Sequence, residues 1–132
     1  RRQLAPPPPD PYRNQPALEP RYGGQPYVVD EFGGIKWVVA GGENRPEDWG
    51  YGDAPRSDLE VAERFGFLTA AMQSSPDIVG YCYTQMTDIE QEQNGLYAYD
   101  RSKKFCDEAY EIIRKANLRV SEFEKCSSTT ST

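Results

Sequence analysis

Two adjacent carboxylates, Asp30 and Glu31, are the clearest candidates for chemistry in this sequence. They follow a short apolar run at residues 27–29 and precede the pair Gly33 and Gly34. An apolar run with turn residues on both sides is typical of a buried strand in a parallel sheet. Parallel α/β folds place their catalytic groups at the carboxyl ends of such strands. The position therefore predicts a catalytic carboxylate, and the alternative is that both acids are ordinary loop residues that keep an exposed turn hydrated.

The composition excludes several other kinds of site. The 132 residues include no His, which excludes Ser-His-Asp catalysis, Cys-His catalysis and His-ligated metals within this chain. The net charge of −6, without clustered Lys and Arg, argues against nucleic-acid binding. No apolar run approaches the ~20 residues of a membrane span. Three widely spaced cysteines suit neither a disulfide framework nor a zinc site, so we expect a reducing, cytoplasmic location. We expect no cofactor and assign no metal.

Three segments differ in composition. Residues 1–24 contain consecutive prolines at 6–9 and are predicted to be a loop or linker with polyproline II character, or else a docking ligand of the PxxP type. Residues 25–117 carry the apolar patterns of ordered structure. Residues 118–132 end in a Ser- and Thr-rich tail that we predict to be disordered.

The middle segment predicts a strand–helix–strand unit followed by a last helix. Ser57 and Glu60 have the spacing of a capping box, which predicts a helix over residues 58–74. Near-continuous apolar residues predict a second strand over 77–85, and helical periodicity predicts a last helix over 107–116.

The order of these elements brings two strand ends together. Strands joined through a helix are parallel, so their carboxyl ends lie at one edge of the sheet. The second strand turns polar at Thr84 and Gln85. We therefore expect Thr84 and Gln85 to lie beside Glu31.

A long irregular loop at residues 40–56 lies between the first strand and the helix. Trp37 precedes the loop, and Trp49 and Tyr51 lie within it. Long loops with aromatic residues are uncommon in compact domains and are often functional. The aromatic faces suit sugar rings, whose axial C–H groups pack on them. An equally good interpretation is that Trp49 and Tyr51 pin the loop to the body of the protein.

Two strands and two helices are too few to close a parallel sheet or to cover both of its faces. A pair of parallel strands standing alone leaves both edges open. We therefore expect the chain to be the carboxyl-terminal part of a larger α/β protein, with the upstream part of the same polypeptide as its partner.

Three blocks of residues stand out for their order and spacing. They are Asp-Glu-Phe-Gly-Gly at 30–34, Gly-Tyr-Cys-Tyr-Thr-Gln-Met-Thr-Asp at 80–88, and Glu-Gln-Glu-Gln-Asn-Gly-Leu-Tyr at 90–97 with Asp-Arg at 100–101. Together they resemble the end of the catalytic domain of glycoside hydrolase family 2, which contains β-galactosidases, β-glucuronidases and β-mannosidases. The resemblance covers roughly residues 24–116, and its strength lies in the order and spacing of the blocks. It implies a carboxyl-terminal fragment of a (β/α)8 barrel holding the seventh and eighth βα units.

The resemblance also implies a mechanism. Family 2 enzymes are retaining, and Glu31 matches the position of their nucleophile, whereas Asp30 stands where relatives often carry Ser. The acid/base Glu usually follows an Asn, and no Asn-Glu dipeptide occurs in these 132 residues. The chain by itself is therefore expected to be inactive, with its acid/base in a missing upstream segment. A non-catalytic remnant that binds carbohydrate or docks on a partner is the alternative.

The substrate-binding residues implied by the resemblance are Trp37, Thr84 and Gln85. Thr84 stands where the family commonly carries a Trp platform for the sugar, so Trp37 is the candidate replacement. Glu92 lies near the position where glucuronidases carry a Lys that binds the substrate carboxylate. A carboxylate there would repel a uronate, and this favours a neutral sugar, galactose first.

Overall fold

A computed structural model of the chain describes residues 23–39, 42 and 45–129. The Pro-rich segment predicted over residues 1–24 therefore lies almost entirely outside the described residues. The elements in chain order are β1 (Tyr27–Gly33), α1 (Asp58–Gln73), β2 (Ile78–Thr84), α2 (Asp107–Asn117) and α3 (Glu122–Thr129).

The two strands form one parallel sheet with α1 between them in sequence, which confirms the predicted strand–helix–strand unit. Tyr27 lies opposite Ile78 at the start of the pairing, and Gly33 lies opposite Thr84 at its end. Both strands thus finish at the same edge of the sheet. The predicted helices over 58–74 and 107–116 are likewise confirmed as α1 and α2.

Side-chain caps define where α1 begins. The Ser57 hydroxyl accepts a hydrogen bond from the Glu60 amide at 3.1 Å, as the capping box predicts. The Glu60 carboxylate accepts from the Arg56 amide at 2.9 Å, one residue earlier than in the usual box. This bond, together with the Arg64 guanidinium, lowers the pKa of Glu60 to about 2.

The hydrophobic core lies chiefly between α1 and α2. Its buried residues are Ile35, Val61, Ala62, Phe65, Phe105, Ala109 and Ile113. Trp37 and Tyr83 are partly buried against this cluster. The Asp58 carboxylate also accepts a hydrogen bond from the Cys106 amide at 2.8 Å, which ties the start of α1 to the start of α2. The two helices therefore cover each other more than they cover the sheet.

The prediction of a barrel fragment is wrong. Within the described residues the sheet has only β1 and β2, and neither strand has a second neighbour, whereas a barrel strand is paired on both edges. The apolar run at the start of β1 was expected to be buried, but Tyr27 is 58% exposed and Val28 is 53% exposed. The start of β1 is exposed because α1 and α2 bury their apolar residues largely against each other, and no described element covers it.

The carboxyl-terminal segment also differs from expectation. Helix α3 (Glu122–Thr129) lies within residues 118–132, where the composition predicts a disordered tail. The Ser121 hydroxyl accepts from the Glu124 amide at 3.2 Å, and the Glu124 carboxylate accepts from the Ser121 amide at 2.8 Å. These reciprocal bonds form a capping box, which gives the helix a defined start.

None of the helices in the described part of the chain has the length and apolar character needed to cross a membrane.

A buried ion pair organises the segment that follows β2. The Lys104 ammonium lies 2.6 Å from the Asp88 carboxylate, with the two side chains 0% and 8% exposed. The same carboxylate oxygen accepts from the Gly95 amide at 2.8 Å. Burial lowers the pKa of Lys104, and the Asp88 charge opposes that shift. Asp88, the last residue of the second block of the sequence resemblance, is therefore bound both to Gly95 of the third block and to Lys104, which follows that block.

Removing one partner of this pair should destabilise the protein strongly. In Lys104→Met the Asp88 carboxylate stays buried without its cation, and the free energy of unfolding should fall by about 3–5 kcal/mol in a urea titration. Lys103→Met is the matched control, because the Lys103–Asp107 pair is exposed and should lose far less. Equal losses in the two variants would contradict a structural role for the buried pair.

Candidate functional site

Glu31 lies at an irregularity of β1, close to the end of the strand. Val29 lies opposite Tyr81 and Phe32 lies opposite Tyr83, so β1 has one residue more than β2 over this interval. Asp30 and Glu31 occupy the interval. Such a β-bulge bends the strand and re-aims side chains, and bulges are frequent beside active sites. The exposed side chain of Glu31 therefore does not follow the simple alternation of a regular strand.

The carboxylate of Glu31 contacts the phenol of Tyr51. The Tyr51 hydroxyl donates to Glu31 Oε1 at 3.4 Å, with both residues accessible to solvent. The Glu31 charge raises the pKa of Tyr51 above its usual 10.0, with smaller contributions from burial, from the hydrogen bond and from the Glu92 charge. Two carboxylates are therefore close enough to act on one phenol.

Close backbone packing places Tyr51 at this position. The Tyr51 amide donates to the Gly34 carbonyl at 2.7 Å. Gly34 has a φ of +63°, and a Cβ at that residue would overlap the Tyr51 ring. A Cβ at Gly50 would lie 2.5 Å from the Lys36 Cβ. The loop can cross the end of β1 this closely only because both positions are glycine.

Further contacts fix the same loop to its surroundings. The Lys36 ammonium donates to the Asp48 carbonyl at 2.8 Å, and the Trp49 amide donates to the Gln91 carbonyl at 3.1 Å. The rings of Trp49 and Tyr51 pack edge to face with centroids 5.6 Å apart. The loop is thus held directly before Tyr51, through Asp48 and Trp49.

The residues at and after the end of β2 form the second part of the candidate site. The Gly34 amide donates to the Thr84 carbonyl at 2.7 Å, which continues the strand pairing past Gly33. The Gln85 amide group donates to Glu92 Oε2 at 3.0 Å and to Asn94 Oδ1 at 2.6 Å. Gln85 therefore positions the Glu92 carboxylate. The peptide bond between Thr84 and Gln85 is cis.

The structure brings together only some of the residues singled out from sequence. Glu31 lies close to the end of β1, but the residue opposite Thr84 is Gly33, so the expected proximity of Thr84 and Gln85 to Glu31 stays a prediction. Gln85 holds Glu92 and Asn94. Trp37 is partly buried against the core and its amide donates to the Gln93 carbonyl at 2.8 Å, so its proposed stacking on sugar stays a prediction.

The sequence alone did not predict a contact between Tyr51 and Glu31. The sequence offered both sugar stacking and loop pinning for this residue, and the structure shows contact with a carboxylate. The available signal was Gly50, directly before Tyr51, since a glycine beside an aromatic residue is compatible with close backbone approach. The carboxylate it approaches lies twenty residues away, and only the tertiary structure identifies it.

Among the described residues, no cluster of three or more His, Cys, Asp or Glu side chains could hold a metal ion.

The comparisons with known proteins do not assign the chain to a family. No model of a known protein family matches the chain, and no curated protein sequence matches it. The resemblance to glycoside hydrolase family 2 therefore stays a prediction carried by the three blocks quoted above.

The contact between Glu31 and Tyr51 can be measured directly. Replacing Glu31 by Gln removes the largest cause of the raised pKa of Tyr51, so that pKa should fall towards 10.0. A ¹³C NMR titration of the tyrosine ring, with the Tyr51 signal identified by its loss in Tyr51→Phe, reports the change. Asp30→Asn is the control and should leave the Tyr51 titration nearly unchanged. A Tyr51 pKa that does not respond to Glu31→Gln would show that the two groups are not in contact.

Proposed function

We propose that this chain supplies the nucleophile, Glu31, of a retaining glycoside hydrolase that cleaves β-linked neutral sugars, with galactosides favoured. The observation that carries the proposal is the placement of Glu31: an exposed carboxylate on a strand bulge, held against a phenol at the shared end of two parallel strands. The three blocks of sequence resemblance support the same role.

The proposed reaction is a double displacement. The ionised Glu31 carboxylate attacks the anomeric carbon while a second carboxylic acid protonates the departing oxygen, which gives a covalent glycosyl ester on Glu31. Water, deprotonated by the second carboxylate, then attacks the same carbon and releases Glu31. Retaining enzymes hold the two carboxyl groups roughly 5–5.5 Å apart. The nucleophile must be ionised while its partner is protonated, so the two need different environments.

We place the acid/base carboxylate outside these 132 residues, in an upstream part of the same polypeptide. These residues carry the nucleophile's motif but no Asn-Glu pair of the kind that marks the acid/base. The 132 residues by themselves are accordingly proposed to be inactive, and the intact polypeptide to be active. The spacing of the cysteines supports a cytoplasmic location.

The charges around Glu31 support a neutral substrate. Gln85 fixes the Glu92 carboxylate, and the Glu92 charge reaches Tyr51, which itself contacts Glu31. A uronate would bring a further negative charge into this region, whereas the hydroxyl groups of a neutral sugar can donate to a carboxylate. Trp37, Thr84 and Gln85 remain the proposed sugar-contacting residues.

A second candidate function is non-catalytic. The exposed apolar side chains of Tyr27 and Val28, on a strand whose outer edge is unpaired among the described residues, favour a remnant that binds carbohydrate or docks on a partner. Such a remnant would form no covalent glycosyl intermediate, and this separates the two functions experimentally.

Covalent trapping tests the proposed nucleophile. A 2-deoxy-2-fluoro-β-galactosyl fluoride should label the intact polypeptide once. The fluorine at C2 slows both steps of the reaction, whereas the fluoride leaving group keeps formation of the intermediate faster than its release. Peptide mass spectrometry should place the label on Glu31. Glu31→Gln should abolish labelling and lower kcat on an aryl β-galactoside by several orders of magnitude.

Asp30→Asn is the matched control for this experiment, because it removes the neighbouring carboxylate and should retain labelling at Glu31. A label on another residue would refute the assignment of Glu31. Stoichiometric sugar binding with no label at all would favour the non-catalytic function.

The charge of Glu92 should set the discrimination against acidic sugars. In Glu92→Gln the repulsion of a uronate is removed, so kcat/KM for an aryl β-glucuronide should rise about tenfold relative to that for the matching galactoside. Glu90→Gln is the control, since Glu90 is an exposed carboxylate in the same segment without the Gln85 contact. An unchanged ratio in Glu92→Gln would show that Glu92 does not face the substrate.

A further inference from the structure

We propose that Tyr51 is a positioning residue for Glu31: its hydroxyl holds Oε1 of the carboxylate and favours the free carboxylate over the glycosyl ester. The inference rests on the proposed function of Glu31 as nucleophile and assigns a specific step to a second residue. The loop that carries Tyr51 packs closely on the end of β1, and this packing is the observation behind the inference.

The geometry of this contact is built by the backbone. Gly34 lacks the side chain that would displace the Tyr51 ring, and the Tyr51 amide is bonded to the Gly34 carbonyl at 2.7 Å. Gly34 lies three residues after Glu31 in the sequence. The phenol and the carboxylate are therefore both fixed to the same short piece of backbone, and the strand bulge turns Glu31 towards the loop.

The distance of 3.4 Å between the Tyr51 hydroxyl and Glu31 Oε1 leaves room for adjustment. Hydroxyl hydrogen bonds usually measure about 2.7–2.8 Å. Catalytic hydrogen bonds are often long in unliganded sites and tighten when substrate binds. A phenol is protonated at neutral pH, and the Glu31 charge raises the pKa of Tyr51 further. It is therefore available as a donor throughout the reaction.

The donor acts differently in the two steps of the reaction. A hydrogen bond to a carboxylate is charge-assisted and stronger than one to the carbonyl oxygen of a neutral ester. When water attacks the glycosyl ester, the bond between the anomeric carbon and Glu31 breaks and its electron pair returns to the carboxylate. Tyr51 stabilises the charge that develops there, so it accelerates release of Glu31. The same bond weakens as the ester forms, so Tyr51 does not accelerate that step.

Kinetics of Tyr51→Phe in the intact polypeptide test this assignment. With 2,4-dinitrophenyl β-galactoside, whose leaving group makes ester formation fast, kcat should fall about 10-fold to 100-fold, the effect of losing one hydrogen bond to a charged group. KM should fall in parallel, so that kcat/KM changes little, because the glycosyl ester accumulates. Mass spectrometry of the enzyme at steady state should detect this ester on Glu31.

Two glycine variants and a tyrosine variant serve as comparisons. Gly34→Ala should show the same parallel fall in kcat and KM, since its methyl group displaces the Tyr51 ring. Gly52→Ala also places Ala at a positive φ, +75°, but no atom lies within 4 Å of its Cβ, so kcat and KM should each keep their wild-type values. Tyr99→Phe, which removes the hydroxyl of a 75% exposed tyrosine, should also match wild type.

The outcomes separate this inference from the proposed function. Wild-type labelling at Glu31 with a Tyr51→Phe variant whose kcat and KM are unchanged, or whose kcat/KM falls as much as kcat, would overturn the role of Tyr51 alone. Absence of labelling at Glu31 in the wild type would overturn the proposed function, and the role of Tyr51 with it.

Discussion

The pairing of the two strands at their carboxyl ends is the constraint on which the candidate site depends. Phe32 pairs with Tyr83 and Gly33 with Thr84, and the Gly34 amide extends the pairing by one bond to the Thr84 carbonyl. This register fixes where β1 stops and where the following loop can cross it. A slip of one residue would turn every side chain of β1 to the other face of the sheet. It would also move the backbone that carries Tyr51 away from Glu31.

Aromatic packing supports that register from the helix side. The ring of Phe32 packs edge to face on Tyr83, and Tyr83 in turn packs on Phe65 of α1. Burial of the Tyr83 side chain raises its pKa to about 12, so its phenol stays neutral and compatible with the core. These rings form the direct connection between the end of the sheet and the core between α1 and α2.

Features set by neighbours in sequence could be predicted, and features set by distant parts of the chain could not. The capping residue Ser57 and the helical period gave α1 to within one residue, because both signals are local. The strand–helix–strand unit followed from the order of the elements. The exposure of Tyr27 depends instead on where α1 and α2 pack, which no local pattern specifies. The barrel prediction was wrong for the same reason, since closure of a sheet is a property of many strands.

In the candidate site, too, local features could be predicted from the sequence and contacts between distant residues could not. The sequence identified Glu31 by its position after an apolar run, and it identified Thr84 by the order of the strands. It could not reveal the extra residue in β1, because a bulge is defined only relative to the partner strand. It also left the role of Tyr51 open, because the contact joins residues twenty positions apart through the glycine packing at the strand end.

Within the part of the chain that the structure describes, β1 pairs only with β2, so Asp30 and Glu31 lie on a strand with one open edge. Such an edge, with Tyr27 and Val28 exposed, is a template on which another copy of the chain can add a strand, the first step of aggregation. Strand addition between two such edges would bring Asp30 and Glu31 of each copy close together, and like charges oppose that approach. The bulge also breaks the regular spacing of hydrogen-bonding groups that an added strand requires. The charges of Asp30 and Glu31 thus also disfavour association between copies of the chain along this edge.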